Sequence, residues 1–249
     1  MVRIAPNNAC GTLSWVEVDL AATAALIANP ARAAMLDCLL KGEAVSASVL
    51  SKSAGVAPST GSEHLAALLA GGLVRVEAHG RHRYFSLAGP PVAEALEALA
   101  LISRSLPIGS LRQALAADRL RFARSCYDHL AGVLGVAVFD AMRSKGWLEV
   151  RGRDCSLTPI GEQNLIGLGV DVDGARRSRR SFSRLCLDWT ERRHHLAGAL
   201  GANLMWTMMD RGWVRRRSKD RALDMSRSGV SGLVALGISH SILGPDSGL

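Results

Sequence analysis

Residues 30–87 read PARAAMLDCLLKGEAVSASVLSKSAGVAPSTGSEHLAALLAGGLVRVEAHGRHRYFSL, and this segment predicts three helices followed by a β-hairpin. Apolar residues at helical spacing place the first helix at 31–40. Ser46 begins a second helix that ends at Gly55, and Pro58 begins a third helix that carries a leucine stripe. The runs LVRVEA and RYFSL then form two strands, which are joined by the basic turn HGRHR.

This order of elements is typical of a winged helix-turn-helix, whose third helix enters the major groove while its hairpin contacts the phosphate backbone. Small polar side chains occupy the first turns of the third helix, where they can reach base edges, and a glycine among them lets the helix approach closely. The basic hairpin turn suits phosphate oxygens. The predicted DNA-contacting residues are Ser59, Thr60, Gly61, Ser62, His64, Arg81, His82 and Arg83.

The phrases NPARAAMLDCLL, SVLSKSAGVAPSTGSEHLAALLAGGLV and HGRHRYFSL resemble the arsenic-repressor (ArsR/SmtB) type of bacterial transcription regulators. The resemblance covers a little over a third of the chain, from about Val18 to Arg104. It implies a homodimer that pairs through the first and last helices of the domain, represses from a palindromic operator and releases DNA when an inducer binds. VDLAATAALIAN and PVAEALEALALISRSL would supply those two helices, since both are rich in Ala and Leu and carry few charges.

Many members of that family sense metals, but their usual ligands are missing here. The segment EAVSASVLSKS lacks the Cys-x-Cys pair of one common site. The last helix carries Glu94 and Glu97 in place of the Asp and His pairs of another, and both are predicted to be solvated. Cys38 stands alone on an apolar helix face and is predicted to pack as a small hydrophobe. The inducer is therefore expected to bind outside the usual family sites.

The C-terminal half contains an internal repeat. HLAGVLGVAVFDAMRSKGWLEVRGRDCSL begins at His129, HLAGALGANLMWTMMDRGWVRRRSKDRAL begins at His195, and a Cys-x-Asp precedes each copy. Each copy predicts a helix, a glycine turn and a two-stranded wing, and 171–184 has the composition of an exposed linker between them. The predicted fold class is mainly α with small β wings (α+β). The predicted domains are 1–106, for DNA binding and dimerisation, and 107–249, a sensor with repeats at about 121–170 and 181–236.

Cysteine, aspartate and histidine recur in both copies, and sensing chemistry is predicted there. Cys126 and His129 are three residues apart, so on a helix they would share one face and could hold a soft or borderline metal ion. A site that joins Cys126 and Cys186 across the repeat is a second arrangement. The alternatives are a small organic inducer or structural roles, in which the aspartates cap helices and the thiols pack. The candidate metal or inducer residues are Cys126, Asp128, His129, Cys186, Asp188, His194 and His195.

The composition suits a partner that is a polyanion. The chain of 249 residues has a formal net charge of +8, part of it in the arginine-rich runs 176–180 and 211–219. These runs could touch flanking DNA, but solvated surface is the favoured interpretation. Five cysteines without tight spacing argue against a disulfide framework and for the reducing cytoplasm. The sequence shows no signal peptide and no membrane-spanning run.

The favoured function is a sequence-specific transcriptional repressor that acts as a homodimer on double-stranded operator DNA and is released by a metal, metalloid, redox or small organic inducer. The candidate cofactor is a soft or borderline metal ion, and no enzymatic activity is predicted. The first alternative is a non-specific architectural DNA-binding protein, which would not need so large a C-terminal half. The second is an enzyme that uses Cys126 with His129, although no oxyanion-hole or phosphate-loop signature accompanies them.

Overall fold

A computed structural model describes residues 18–152, 154–218 and 220–243 of the chain. Its elements are helices and small antiparallel sheets, which confirms the predicted α+β class. Two hydrophobic clusters organise them: the buried members of one fall between Met35 and Ala93, and those of the other between Ala123 and Leu243. The first 17 residues, on which the absence of a signal peptide was predicted, lie outside the described residues.

The first cluster is enclosed by the three predicted helices and the hairpin, together with one flanking helix on each side. In chain order these elements are α1 (Leu20–Ala28), α2 (Pro30–Leu39), β1 (Val45–Ser46), α3 (Ala47–Ser53), α4 (Pro58–Ala70), β2 (Val74–His79), β3 (His82–Leu87) and α5 (Pro90–Ile102). The short strand β1 was not predicted. It pairs with β3 and extends the hairpin into a three-stranded sheet.

The helix starts in this half follow from capping chemistry. The Asn29 side chain accepts hydrogen bonds from the backbone N–H groups of Ala31 and Arg32, at 3.0 and 3.1 Å, and so satisfies donors that the first turn of α2 leaves free. Pro58 stands at the start of α4, where a backbone N–H would have no partner within the helix, so the missing N–H of proline costs no hydrogen bond. Further along α4, Leu65 and Leu68 are buried in the core, which anchors the helix and leaves its first turns at the surface.

The second cluster is enclosed by two segments that have the same order of elements: hairpin, helix, hairpin, helix. The first segment follows α6 (Leu111–Phe122) and consists of β4 (Arg124–Cys126), β5 (His129–Ala131), α7 (Gly132–Ser144), β6 (Leu148–Arg151), β7 (Asp154–Leu157) and α8 (Pro159–Gly167). After α9 (Val172–Arg177), the second segment consists of β8 (Arg184–Leu187), β9 (His194–Ala197), α10 (Gly198–Asp210), β10 (Val214–Arg216), β11 (Leu223–Met225) and α11 (Arg227–Ala235), and α12 (His240–Leu243) follows.

Two expectations for this half are wrong. Cys126 and His129 do not share a helix face, because they lie on the adjacent strands β4 and β5 and pair directly across the hairpin. Residues 171–184 are more than an exposed linker, since they include α9, whose Val172 and Ala175 are buried. The β4–β5 hairpin and α9 are short and polar in composition, so the local sequence does not indicate them, and tertiary packing stabilises both.

The turn of the β4–β5 hairpin rests on the loop that follows α2. The backbone N–H of Tyr127 donates to the carbonyl of Leu40 at 3.0 Å, and the Tyr127 side chain packs at the edge of the N-terminal cluster. Nearby, Arg216 at the end of β10 pairs with Glu43 at 3.2 Å and donates to the carbonyl of Lys41. The C-terminal half therefore touches the helix-turn-helix directly.

Helix α5 makes the second connection between the two halves. Glu97 is buried and pairs with Arg221, and Glu94, one turn earlier, pairs with Arg184 at 2.6 Å. The prediction that Glu97 is solvated is therefore wrong. Its carboxylate is neutralised by an arginine more than a hundred positions away, and the sequence around Glu97 carries no sign of that partner.

Candidate DNA-binding surface and thiol–imidazole cluster

The first turns of α4 present polar side chains to solvent. Ser59 and Ser62 are exposed, and Thr60 and His64 are half-buried. The Ser62 hydroxyl donates to the carbonyl of Pro58 at 2.9 Å. Because Leu65 and Leu68 fix the other side of the helix in the core, this face is held rigidly and is free to enter a groove.

Gly61 lies on the buried side of α4, together with Leu65 and Leu68. It is buried, and a Cβ built on it would fall 1.9 Å from the Oγ and 2.8 Å from the Cβ of Ser51 on α3. The glycine therefore permits close packing of α3 against α4. The prediction that Gly61 contacts DNA is wrong, because its missing side chain faces the neighbouring helix.

The wing tip, residues 79–83, is exposed at every position. His79, the last residue of β2, pairs with His82, the first residue of β3, and Arg81 stands in the turn between them. Arg83 lies over the Phe85 ring, with its guanidinium carbon 5.7 Å from the ring centroid, so a buried aromatic residue orients this cation. The tip is thus a basic, protruding loop of the kind that follows a phosphate backbone.

The arginine-rich runs of the C-terminal half are largely engaged inside the chain. Arg180 pairs with Asp128, and Arg217 pairs with Asp224 at 2.7 Å. Arg211 donates from Nε to the carbonyl of Leu168 at 2.9 Å. These arginines hold segments of the chain together, a role that neither interpretation of the sequence included.

A second site forms where the β4–β5 and β8–β9 hairpins meet; we call Cys126, His129, Cys186 and His195 the thiol–imidazole cluster. In each hairpin the cysteine pairs with the histidine across the two strands. Their sulfur and ring nitrogen atoms all lie within 4.8 Å of one another, and the two sulfurs are 3.9 Å apart. Three of the four residues are buried, and Cys186 is half-buried.

Close packing at two helix glycines brings the histidines together. A Cβ built on Gly135 of α7 would meet the Leu130 carbonyl oxygen at 2.5 Å and would lie 3.7 Å from the Cβ of His195. A Cβ built on Gly201 of α10 would lie 3.4 Å from the Cβ of His129. Each histidine thus packs over the helix of the other segment, and the ring centroids are 5.1 Å apart.

The other candidate sensing residues surround the cluster or lie away from it. Asp128 lies 3.2 Å from Nδ1 of His129, and Asp188 lies 3.5 Å from Nδ1 of His195. His194 is exposed at the start of β9 and is not part of the cluster. Of the seven predicted residues, four form the thiol–imidazole cluster, the two aspartates lie next to its histidines, and His194 lies outside it.

The electrostatic environment favours the protonation state of a metal ligand at Cys186 and His195 but not at the other two members of the cluster. The Cys186 thiol and burial raise the pKa of Cys126, and Asp128 and Cys186 raise the pKa of His129 against the effect of burial. The neighbouring Cys126 thiol and the His129 and His195 rings lower the pKa of Cys186. Burial lowers the pKa of His195 and so favours its neutral form. Burial opposes ionisation of Asp188, but Arg124 and hydrogen bonds from Thr190 and the backbone of Gly132 outweigh it and hold the pKa of this carboxyl well below its usual range.

An exposed polar helix face beside a basic wing, both carried on a helix-turn-helix core, defines the molecule as a winged helix-turn-helix DNA-binding protein. The family described as "Helix-turn-helix domain" matches residues 27–77. The chain is also 38% identical over 211 residues to the HTH-type transcriptional regulator YdfF of Bacillus subtilis (strain 168), and the match covers 85% of this chain and 93% of that protein. The chain therefore belongs to this family of HTH-type transcriptional regulators.

Among solved structures, NolR from Sinorhizobium fredii is 31% identical over 34% of this chain and 85% of its own, with a TM-score of 0.32. The homodimeric winged helix-turn-helix domain of Mb0332 from Mycobacterium bovis is 29% identical over 41% of this chain and 81% of its own, with a TM-score of 0.29. Both matches leave more than half of this chain uncovered. None of the described helices combines the length and the apolar character that crossing a bilayer requires.

Proposed function

We propose that the protein is a sequence-specific transcriptional repressor that acts as a homodimer in the cytoplasm and is released from its operator by an inducer. The observation that carries this proposal is the exposed polar face of α4 beside the basic wing tip, which fits a major groove and its flanking phosphates. Ser59, Thr60, Ser62 and His64 are the proposed base-reading residues. Arg81, His82 and Arg83 are the proposed phosphate contacts.

The proposal of a homodimer is supported by an apolar surface on the flanking helices. Leu20 on α1 is 70% exposed, Ile102 at the end of α5 is 81% exposed, and Leu111 on α6 is 76% exposed. Exposed large apolar side chains on α1, α5 and α6 favour burial against a second copy. A two-fold dimer would present two recognition helices about one helical turn of DNA apart, which fits a palindromic operator.

The proposal of a sensor domain is supported by the contacts between the two halves. Residues 1–106 would bind DNA and dimerise, and 107–249, with repeats at about 121–170 and 181–236, would hold the inducer. The β4–β5 turn lies against the loop after α2, and α5 pairs through Glu94 and Glu97 with arginines of the C-terminal half. A ligand that shifts these hairpins would therefore act on both the helix-turn-helix and the proposed dimer helix.

Selection from a random duplex library with the full-length, reduced protein tests the proposed function. We expect enrichment of one inverted-repeat sequence, bound at least about 1,000-fold more tightly than unrelated DNA of equal length. Equal affinity for selected and scrambled duplexes would instead identify an architectural DNA-binding protein. No binding to any duplex at low salt would contradict the proposal altogether.

A further inference from the structure

We propose that Cys126, His129, Cys186 and His195 bind one thiophilic divalent metal ion, Zn²⁺ by the chemistry of the donor set, and that this ion is the effector of the DNA-binding half. The first part stands on the cluster alone. The second part rests on the proposed function. Two sulfurs and two imidazole nitrogens form a complete ligand set for tetrahedral zinc.

The dimensions of the cluster suit a tetrahedral ion. Zinc bonds to sulfur at about 2.3 Å and to nitrogen at about 2.0–2.1 Å, so the edges of a tetrahedral site measure about 3.3–3.8 Å. The two sulfurs are 3.9 Å apart, close to the sulfur–sulfur edge of such a site. The widest separation in the cluster is 4.8 Å, so the ligands need to contract by only about 1 Å.

The two aspartates stand where carboxylates support metal-bound histidines. Asp128 holds Nδ1 of His129 at 3.2 Å, and Asp188 lies 3.5 Å from Nδ1 of His195. In His129 this leaves Nε2 for the metal, the arrangement in which a carboxylate orients a ligating imidazole. In His195 neither ring nitrogen makes a hydrogen bond within the described residues, so either nitrogen is available to the ion. Asp128 is held by Arg180, and Asp188 is held by Arg124, so both carboxylates are fixed in position.

Unpaired polar atoms at the center of the cluster also point to a ligand. Within the described residues, Nε2 of His129 and both ring nitrogens of His195 are buried and make no hydrogen bond. The two histidine residues are only 3% and 1% exposed, so bulk solvent does not reach these ring nitrogens to form hydrogen bonds with them. A divalent ion would bind one nitrogen of each ring. Two thiolates would cancel its charge and so lower the free-energy cost of burying it.

A disulfide between Cys126 and Cys186 accounts for fewer features of the cluster than a bound metal ion does. The sulfur–sulfur distance of 3.9 Å would have to fall to about 2.0 Å. Both Nε2 atoms would remain without a partner after that movement. The disulfide is therefore an outcome that the experiment below distinguishes.

The location of the cluster connects an ion to DNA binding. A shallow cleft opens onto the cluster, and its other walls include Pro90 and Ala93 at the start of α5, Tyr127 and Arg184. An ion that draws the two hairpins together would act on the Tyr127 contact with the loop after α2 and on the Arg184 contact with α5. These two contacts join the hairpins that carry the ligands to the loop after α2 and to α5 of the DNA-binding half.

Titration of the full-length, reduced and chelator-treated protein with Co²⁺ tests the site without reference to DNA. We expect one Co²⁺ per chain, intense visible bands of a tetrahedral ion and near-ultraviolet thiolate-to-cobalt bands, all abolished when Zn²⁺ displaces the cobalt. Weak visible bands of an octahedral ion, or no stoichiometric binding, would overturn the proposal. A protein that carries no metal and shows the Cys126–Cys186 disulfide on peptide mapping after purification without reductant, and does not bind Co²⁺ once reduced, would also overturn it.

Variants identify the ligands. Cys186→Ser and His195→Gln should each lower Co²⁺ affinity by at least about 10-fold and shift the cobalt spectrum, while Cys38→Ser, outside the cluster, should leave both unchanged. Cys186 is half-buried, so its serine variant is expected to fold, and circular dichroism checks this. Unchanged cobalt spectra in both ligand variants would overturn the assignment.

The effector role is measured on the selected operator. Zn²⁺ should weaken operator binding of the wild-type protein by about 5- to 150-fold and leave Cys186→Ser unaffected. An equal response of the two proteins, or none in the wild type, would overturn the effector role while leaving the cobalt result intact. Failure to bind any operator would contradict the proposed function, and the cobalt titration would still decide the site.

Discussion

Asp188 connects the two segments of the C-terminal half through its buried carboxylate. It is buried, and its carboxylate accepts hydrogen bonds from Arg124 at 2.9 Å, from the backbone N–H of Gly132 at 2.7 Å, and from the hydroxyl of Thr190 at 2.7 Å. Since Gly132 is the first residue of α7, a side chain of the second segment caps a helix of the first. One residue thus joins the two segments.

Substitution Asp188→Asn should destabilise the protein strongly. Asparagine keeps the shape of the side chain but leaves the buried Arg124 without a counter-charge, so we expect a loss of about 3–5 kcal/mol in the free energy of unfolding. Urea unfolding followed by circular dichroism measures it. The control is Asp140→Asn, which breaks the more exposed pair with Arg193 and should cost less than about 1 kcal/mol. Equal losses in the two variants would contradict the argument.

Gly61 allows a second prediction at the residue scale. Gly61→Ala introduces a Cβ 2.8 Å from the Cβ of Ser51, a contact that rotating the serine hydroxyl does not relieve. We expect α3 and α4 to be pushed apart and the protein to lose about 1–3 kcal/mol. Gly167→Ala is the matched control, because nothing lies within 4 Å of its Cβ and alanine is the better helix former. Thermal unfolding of both variants should therefore shift in opposite directions.

At the scale of elements, we propose that the wing and α4 divide the work of DNA recognition. The wing tip is basic and exposed, and the first turns of α4 are polar and exposed. The double substitution Arg81→Ala with Arg83→Ala should weaken binding to all duplexes alike and flatten the slope of log affinity against log salt by about 2. Titrations at several salt concentrations measure it.

The control for the wing is Ser59→Ala with Thr60→Ala on α4, which should reduce the preference for the selected operator and leave the salt slope unchanged. An unchanged slope in the arginine variant would remove the wing from the interface. An unchanged operator preference in the α4 variant would remove these two hydroxyls from base recognition.

The elements of the DNA-binding half could be predicted because their signals are local. Pro58, the leucine stripe of α4 and the basic turn each act within a few residues. The C-terminal hairpin β4–β5 could not be predicted in the same way. Its strands are three residues each, and they are held by neighbours such as the Arg221 carbonyl, which accepts from the backbone N–H of Ser125 at 2.9 Å.

At the scale of the whole molecule, the exposed apolar side chains of α1, α5 and α6 predict the oligomeric state. Leu20→Glu with Ile102→Glu should convert the proposed dimer to a monomer, because a two-fold interface would place the new carboxylates near one another in an apolar setting. Sedimentation equilibrium measures this.

The control for the dimer is Ile166→Glu, which changes an isoleucine on α8 that is 54% exposed and should leave the assembly unchanged. A dimer that survives the double substitution would place the interface elsewhere on the molecule.

The sequence by itself determined the winged helix-turn-helix, its polar recognition face and basic tip, and the set of cysteines, aspartates and histidines from which the cluster is drawn. Periodicity, capping and turn chemistry act over a few residues, so they can be recognised in one dimension. Only the tertiary structure decided which of those side chains meet. Two residues separate Cys126 from His129 and eight separate Cys186 from His195, and both pairs are brought into register by strand pairing. Convergence across the hairpins depends on packing between segments about sixty residues apart, and no local pattern encodes it.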